Sequence, residues 1–235
     1  MQQQSGGHTL KAFDDDINRL RALISEMGRL AEQAIREAMR CLVERDSEAA
    51  LRVVENDKQL DALELETERR VVQLIALRAP MAGDLRDAVA ALKISGVVER
   101  IGDYAKNIAR RVPDLENSHQ IEPVSLLPQM ARIATEMVVD VLEAVVQRDA
   151  EAAVRVVERD RAVDDFYDSV FRTLLTHMME NPQNIGQATQ LLFVAKNLER
   201  VGDHATNIAE MVYYAATGQQ LVEPPKVKPS KAPRI

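Results

Sequence analysis

Apolar residues along the first fifth of the chain recur at steps of three and four. Ile17, Leu20, Ile24, Met27, Leu30, Ala34, Ala38 and Leu42 form the series, which is one face of an α-helix. The same period returns in the intervals between Pro80, Pro113, Pro123, Pro128 and Pro182. A proline disrupts a helix interior, so each interval is read as helical. The first helix is expected to open near Thr9 and to end at RDSEAA (45–50), where Asp46 or Ser47 can cap the next one. A second helix then runs to about Leu77, and a third from about Leu85 to Arg111, with Asp84 as its cap. Three more are expected at about 126–147, 150–180 and 185–216, and VPDLENSHQIEPVSLLP (112–128) reads as a linker. Helices of about 25–35 residues are roughly 40–50 Å long. Joined by short breaks, they pack as antiparallel bundles.

The pattern occurs twice. ERDSEAALRVVEND (44–57) and QRDAEAAVRVVERD (147–160) agree at 10 of 14 positions, at an offset of 103. ERIGDYAKNIA (99–109) and ERVGDHATNIA (199–209) agree at 8 of 11, at an offset of 100. Two blocks in matched order imply duplication rather than chance recurrence of Ala, Glu and Arg. The expected fold is all-α: two tandem three-helix bundles, 10–112 and 124–217, related by pseudo-two-fold symmetry. Residues 218–235, with four prolines and four basic residues, are expected to be a disordered tail.

Composition narrows the function classes. The chain has 235 residues and is 46% hydrophobic, enough for a core and too much for a disordered chain. A single Cys, Cys41, excludes a disulfide scaffold and a Cys-based zinc site, and its apolar helical face marks it as core. No apolar run approaches the roughly 18 residues of a membrane span, and MQQQSGGHTLKAFDDD lacks the features of a secretory signal. A net charge of −7 argues against nucleic acid as a partner.

The acidity is patterned. Glu99 and Asp103 stand four apart on one helical face, and Glu199 and Asp203 repeat the pair. On the preceding helices stand Asp57 and Asp61, with Glu64 and Glu68 beyond them, and in the second copy Asp160 and Asp164, with Asp168. Like charges at this spacing repel by a few tenths of a kcal/mol, and a cation would remove that cost. Carboxylates suit hard cations such as Mg²⁺, Ca²⁺, Mn²⁺ or Fe³⁺. Gly102 and Gly202 sit inside the acidic turns, where an interior glycine costs about 1 kcal/mol against Ala. A small residue there permits close approach by a neighbouring helix or a bound group. The plain alternative is a solvated acidic face. Glu116 and His119 have a di-iron-like ExxH spacing, but occur once, in the linker. His204 could ligate a metal, although its repeat counterpart is Tyr104, and His177 suits a helix end. No Walker A loop, GxGxxG, HExxH or GxSxG is present, nor a set of nucleophile, base and orienting group, so catalytic residues are not expected.

ALRAPMAGDLRDAVAALKISGVVERIGDYAKNIA and LERVGDHATNIAE resemble the paired signatures of the PhoU family, accessory regulators of the phosphate-specific transport system. The likeness extends over about 10–217. It implies two three-helix bundles and multinuclear metal clusters held by E/D-x-x-x-D motifs. These motifs fall on Asp57 and Asp61, Glu99 and Asp103, Asp160 and Asp164, and Glu199 and Asp203. The metal, Fe, Zn, Mn or Mg, is not specified. The resemblance further implies a cytoplasmic homo-oligomer, a negative regulator of phosphate uptake and phosphate-starvation signalling. Such a protein would contact a sensor histidine kinase and the ATPase of the phosphate ABC transporter. The second half reads Asn-Ile-Gly (184–186) where the first has the Asp-Leu-Arg element. Two other readings stand beside this one: a carboxylate-bridged metalloenzyme, phosphohydrolase or di-iron oxidase, and a helical scaffold with solvated acidic faces.

Overall fold

The structure, a computed structural model, describes residues 5–116 and 121–221. Eight α-helices and two short 3₁₀ turns make up the described residues. They are α1 (Ser5–Glu44), α2 (Ser47–Asn56), α3 (Lys58–Arg78), α4 (Gly83–Ala109), α5 (Val112–Glu116), α6 (Leu127–Gln147), α7 (Ala150–Glu180) and α8 (Ile185–Thr217). No strand occurs among these residues. The all-α reading and the tandem three-helix plan hold: α1, α2–α3 and α4 correspond to α6, α7 and α8. Thr9 lies inside α1 rather than at its start.

The repeated Arg-Asp step is a helix stop and a helix start in two residues. Arg45 and Arg148 adopt left-handed backbone, with φ of 60° and 57°. The amide of the following aspartate then bonds back to the preceding helix, Asp46 to the Cys41 carbonyl at 3.1 Å and Asp149 to that of Ala144 at 3.0 Å. Each aspartate side chain caps the next helix, Asp46 accepting from the Ala49 amide and Asp149 from those of Glu151 and Ala152. Ser47 is not the cap. Its hydroxyl donates instead to Glu116, at 2.7 Å.

Three expectations change. The second helix carries a one-residue hitch at Asp57, whose carbonyl accepts from both Leu60 and Asp61, whereas α7 runs unbroken for 31 residues. Asp84 does not cap α4. Ala82 holds that position without a side-chain bond, and Asp84 sits in the first turn, where its charge suits the positive helix end. The linker is not free of the body: Val112, Leu115, Ile121 and Val124 are buried. His119 and the tail from 222 onward lie outside the described residues.

The halves share one core, with helices meeting their own repeat counterparts. α1 packs on α6 and α4 on α8, while α3 packs on α1 and α4, and α7 on α6 and α8. Between its several neighbours α1 buries a wide arc. Ala31 and Ile35 are fully buried, whereas Leu30 and Ala34 of the expected stripe are half-buried. Gly28 admits Leu142 of α6: a Cβ at 28 would lie 2.2 Å from Leu142 Cδ1. Tyr104 and His204, one repeat apart, meet edge to face at 5.1 Å and mark the pseudo-two-fold axis. At one end of the seam, Arg148 ties the halves together, bonding Asp87 of α4 at 2.9 Å and the Ala215 carbonyl of α8 at 3.0 Å.

A glycine stands at the contact between the acidic faces in each half, and in the first half it sets the spacing. A Cβ on Gly102 would lie 2.3 Å from Leu60 Cδ1 and 3.5 Å from Asp57 Oδ1. At Gly202 the nearest atoms are Asp160 Oδ1 and Val163 Cγ1, both at 3.4 Å, because the shorter Val163 replaces Leu60. The two sites therefore predict opposite responses to one substitution. Gly102→Ala forces the fully packed Leu60 to move and is expected to destabilise by about 1–3 kcal/mol. Gly202→Ala is expected to be neutral or to gain up to about 1 kcal/mol of helix propensity. Denaturant melts of the two variants check the pair, and equal effects would contradict this packing account.

Candidate metal centres

The sequence ERIGDYAKNIA dictates which side of α4 is acidic. Val98, Ile101, Ala105 and Ile108 turn into the core. Glu99, Gly102, Asp103 and Lys106 then fall on the flank that meets the α2–α3 junction. The repeat does the same on α8, against α7. Each half thereby presents carboxylates from two helices to each other, at a place where Gly102 or Gly202 leaves no side chain between them.

In the first half the structure gathers Asp57, Asp61, Glu99 and Asp103, together with Glu64. Asp57 is buried, and burial raises its carboxyl above the ordinary range. The Lys106 ammonium opposes that rise. It bonds Asp57 Oδ2 across the helix pair and Asp103 Oδ1 at 2.9 Å on its own helix. Those bonds in turn raise Lys106. Glu99 lacks such relief. Burial, and then the charges of Asp103, Glu64, Asp61 and Asp57, push its carboxyl up to about 7. Glu64 is raised as well, by burial and by Glu68 and Asp61.

The second half is arranged differently. Asp160, Asp164 and Asp203 each offer a carboxylate oxygen, all within 4.8 Å of one another. Glu199 is drawn to Lys196 instead, at 2.5–2.6 Å. Lys196 also lies 5.4 Å from the Tyr167 ring. Tyr167 stands where the first half has Glu64, and Lys196 where it has Gly96. Among the described residues, no other three acidic, histidine or cysteine side chains bring ligand atoms so close.

The donor chemistry fits a hard cation. Such ions hold carboxylate oxygens at about 2.0–2.6 Å, so ligands on opposite sides stand about 4–5 Å apart. The spread of the Asp160, Asp164 and Asp203 oxygens matches that span. His204 does not join either cluster. Its Nδ1 donates to the Arg200 carbonyl at 3.0 Å, and its Nε2 lies 3.4 Å from the Tyr104 hydroxyl. Burial lowers its ability to charge. Asp168, outside the close trio, does not contribute to it.

Sequence reasoning passed over Lys106 and Lys196. Each stands three residues from a carboxylate on its own helix, Asp103 and Glu199, and i, i+3 spacing is a legible signal.

The raised Glu99 carboxyl carries a pH dependence. Below its ordinary value of 4.5 it is neutral in both folded and unfolded chains. Between 4.5 and about 7 the unfolded chain releases a proton that the folded chain keeps. Folded stability therefore falls as pH rises through that window. In chelator-treated protein, Glu99→Gln is expected to melt above wild type at pH 8, with the advantage vanishing near pH 4.5. An advantage equal at both pH values would show that charge is not its source.

Comparison with known proteins follows the repeat. A family model described as the PhoU domain matches residues 24–112 and again residues 127–212. The phosphate-specific transport system accessory protein PhoU homolog of Zymomonas mobilis is 55% identical over 217 residues, 92% of each chain. The homolog of Caulobacter vibrioides is 45% identical over 218 residues, 91% of this chain and 94% of its own. The crystal structure of PhoU from Pseudomonas aeruginosa matches with a TM-score of 0.84 at 34% identity, over 88% of this chain and 100% of that one. These relatives are named as accessory proteins, not as enzymes. With both repeats matched and relatives aligned along nearly their whole length, the chain belongs to the PhoU family.

Proposed function

We propose that this protein is a negative regulator of phosphate uptake and phosphate-starvation signalling. It acts as a cytoplasmic homo-oligomeric adaptor that contacts the ATPase of the phosphate ABC transporter and a sensor histidine kinase. The observation that carries this reading is the alignment, over 92% of both chains, with a protein named as an accessory protein of the phosphate-specific transport system. The adaptor would reach the membrane through its partners: among the described residues no helix is long and apolar enough to cross one.

The acidic clusters hold hard cations in this reading. Asp160, Asp164 and Asp203 are the residues best placed to do so, and Asp57, Asp61, Glu99 and Asp103 form the repeat-related set. A bound cation supplies the counter-charge that lets carboxylates from two helices stay ionised side by side. The protein's own part is to hold α7 against α8, and α2–α3 against α4, so that these carboxylates stay together.

Deletion of the gene tests the regulatory role. A phosphate-starvation reporter is expected to switch on in phosphate-rich medium when the gene is removed, and to fall silent again when the wild-type gene is restored. A reporter that stays repressed in the deletion strain would overturn the reading.

A further inference from the structure

We propose that Arg86, with Arg148 and Arg21 beside it, forms a binding site for one phosphate-type oxyanion at the end of the seam where α8 stops and α4 begins. The site is separate from both acidic clusters and rests on neither the regulatory nor the cation-holding reading.

The repeat singles out the residue. The first half reads Asp-Leu-Arg (84–86) and the second Asn-Ile-Gly (184–186), so the counterpart of Arg86 is Gly186. Helix α8 opens without an arginine at this place, and the other end of the seam therefore lacks the site.

The charges around Arg86 do not balance. Three guanidiniums share one buried carboxylate, Asp87. Arg148 Nη2 lies 2.9 Å from Asp87 Oδ1 and donates to the Ala215 carbonyl at 3.0 Å, and Arg21 Nη2 lies 3.8 Å from Asp87 Oδ2. Burial raises the Asp87 carboxyl, and Arg148 and Arg21 oppose that rise more strongly than Arg86 does. Arg86 is the cation left over. Among the described residues it donates no hydrogen bond and has no ion-pair partner at bonding distance, and its Nε is buried without an acceptor. Asp84 is exposed in the first turn of α4. A guanidinium keeps its charge at any ordinary pH, so the free donors of Arg86 call for water or an anion.

Two glycines give the site its shape. A Cβ on Gly218 would lie 3.4 Å from Arg86 Cζ and 3.6 Å from both Nη atoms. The planar group thus presents its face to Gly218 and keeps its donor edge free. Gly218 has φ of 74°, where a side chain is disfavoured. A Cβ on Gly83 would lie 3.8 Å from Arg86 Nη2 and 3.9 Å from Arg148 Nη2. Gly83 therefore leaves an opening between two guanidiniums. A tetrahedral oxyanion that accepts N–H bonds of about 2.7–2.9 Å fits donors so spaced. Because Arg86 is already held in place, less side-chain freedom is lost on binding.

Titration calorimetry of the full chain with inorganic phosphate tests the site, on protein stripped of metal by chelator and at constant ionic strength. One phosphate per chain is expected to bind. Arg86→Gln is expected to weaken binding at least about tenfold. Lys93→Gln removes the same charge from an exposed position of the same helix and is expected to leave binding unchanged. Phenyl phosphate, titrated in parallel, separates the sources of the group. Binding of inorganic phosphate alone assigns the site to the free anion, and binding of both extends it to phosphoryl groups on larger molecules. Absence of binding by wild type to either probe, or equal weakening by Arg86→Gln and Lys93→Gln, would overturn the site and leave the regulatory and cation readings standing. Should Arg86→Gln fail to fold, Gly83→Val keeps every charge and fills the opening. It is expected to weaken phosphate binding to a similar degree, and unchanged binding would overturn the assignment.

Discussion

Two helices pressed together at a glycine, each bringing carboxylates to the contact, set the terms for the rest of this structure. Gly102 lets α4 close on the α2–α3 junction, where a Cβ would overlap Leu60, and Gly202 stands at the matching contact of α8 with α7, where a Cβ would find ordinary contact distances. The approach takes Asp57 and Asp160 to 7% and 5% exposure. A carboxylate so placed must find a counter-charge, lose its own charge or hold hydrogen-bond donors, because burial of an isolated charge costs several kcal/mol. The first half uses a lysine and leaves Glu99 half-protonated near neutral pH. The second gathers three aspartates in a geometry suited to an ion. One packing constraint therefore has two electrostatic solutions in one chain.

The seam between the halves keeps these solutions at a fixed relation. α4 and α8 carry both acidic flanks and also pack on each other, so the two clusters are joined through a shared helix pair. The Tyr104–His204 contact closes its centre, and the Arg148–Asp87 bond closes one end. At the same time, α1 and α6 meet through Gly28 and Leu142. A change in spacing at either cluster would be felt across this shared pair, because packed interiors shift as units rather than deform smoothly. Duplication supplied the symmetry, and substitutions at a few positions, Lys106 against Thr206 and Gly96 against Lys196, have since made the halves chemically distinct.

Much of this was legible in the chain. The three-and-four spacing located the long helices. RDSEAA at 45–50 located the first break, because Asp46 can cap the helix that follows. The i, i+4 acidic pairs and their interior glycines pointed to the flanks that meet. What the sequence withheld depended on tertiary contact. The α1 stripe widened to Ala31 and Ile35 because helices from both halves cover it. The linker read as free because its buried residues, Val112, Leu115, Ile121 and Val124, are too few and too widely spaced to show a period. The cross-helix bond of Lys106 was hidden because its partner Asp57 is 49 residues away.

Anomalous diffraction from crystals grown with Mn²⁺ addresses the central claim directly, since it locates the ion rather than inferring it from binding. An anomalous peak among the Asp160, Asp164 and Asp203 carboxylates is expected. Crystals with no anomalous peak at those three carboxylates would contradict it.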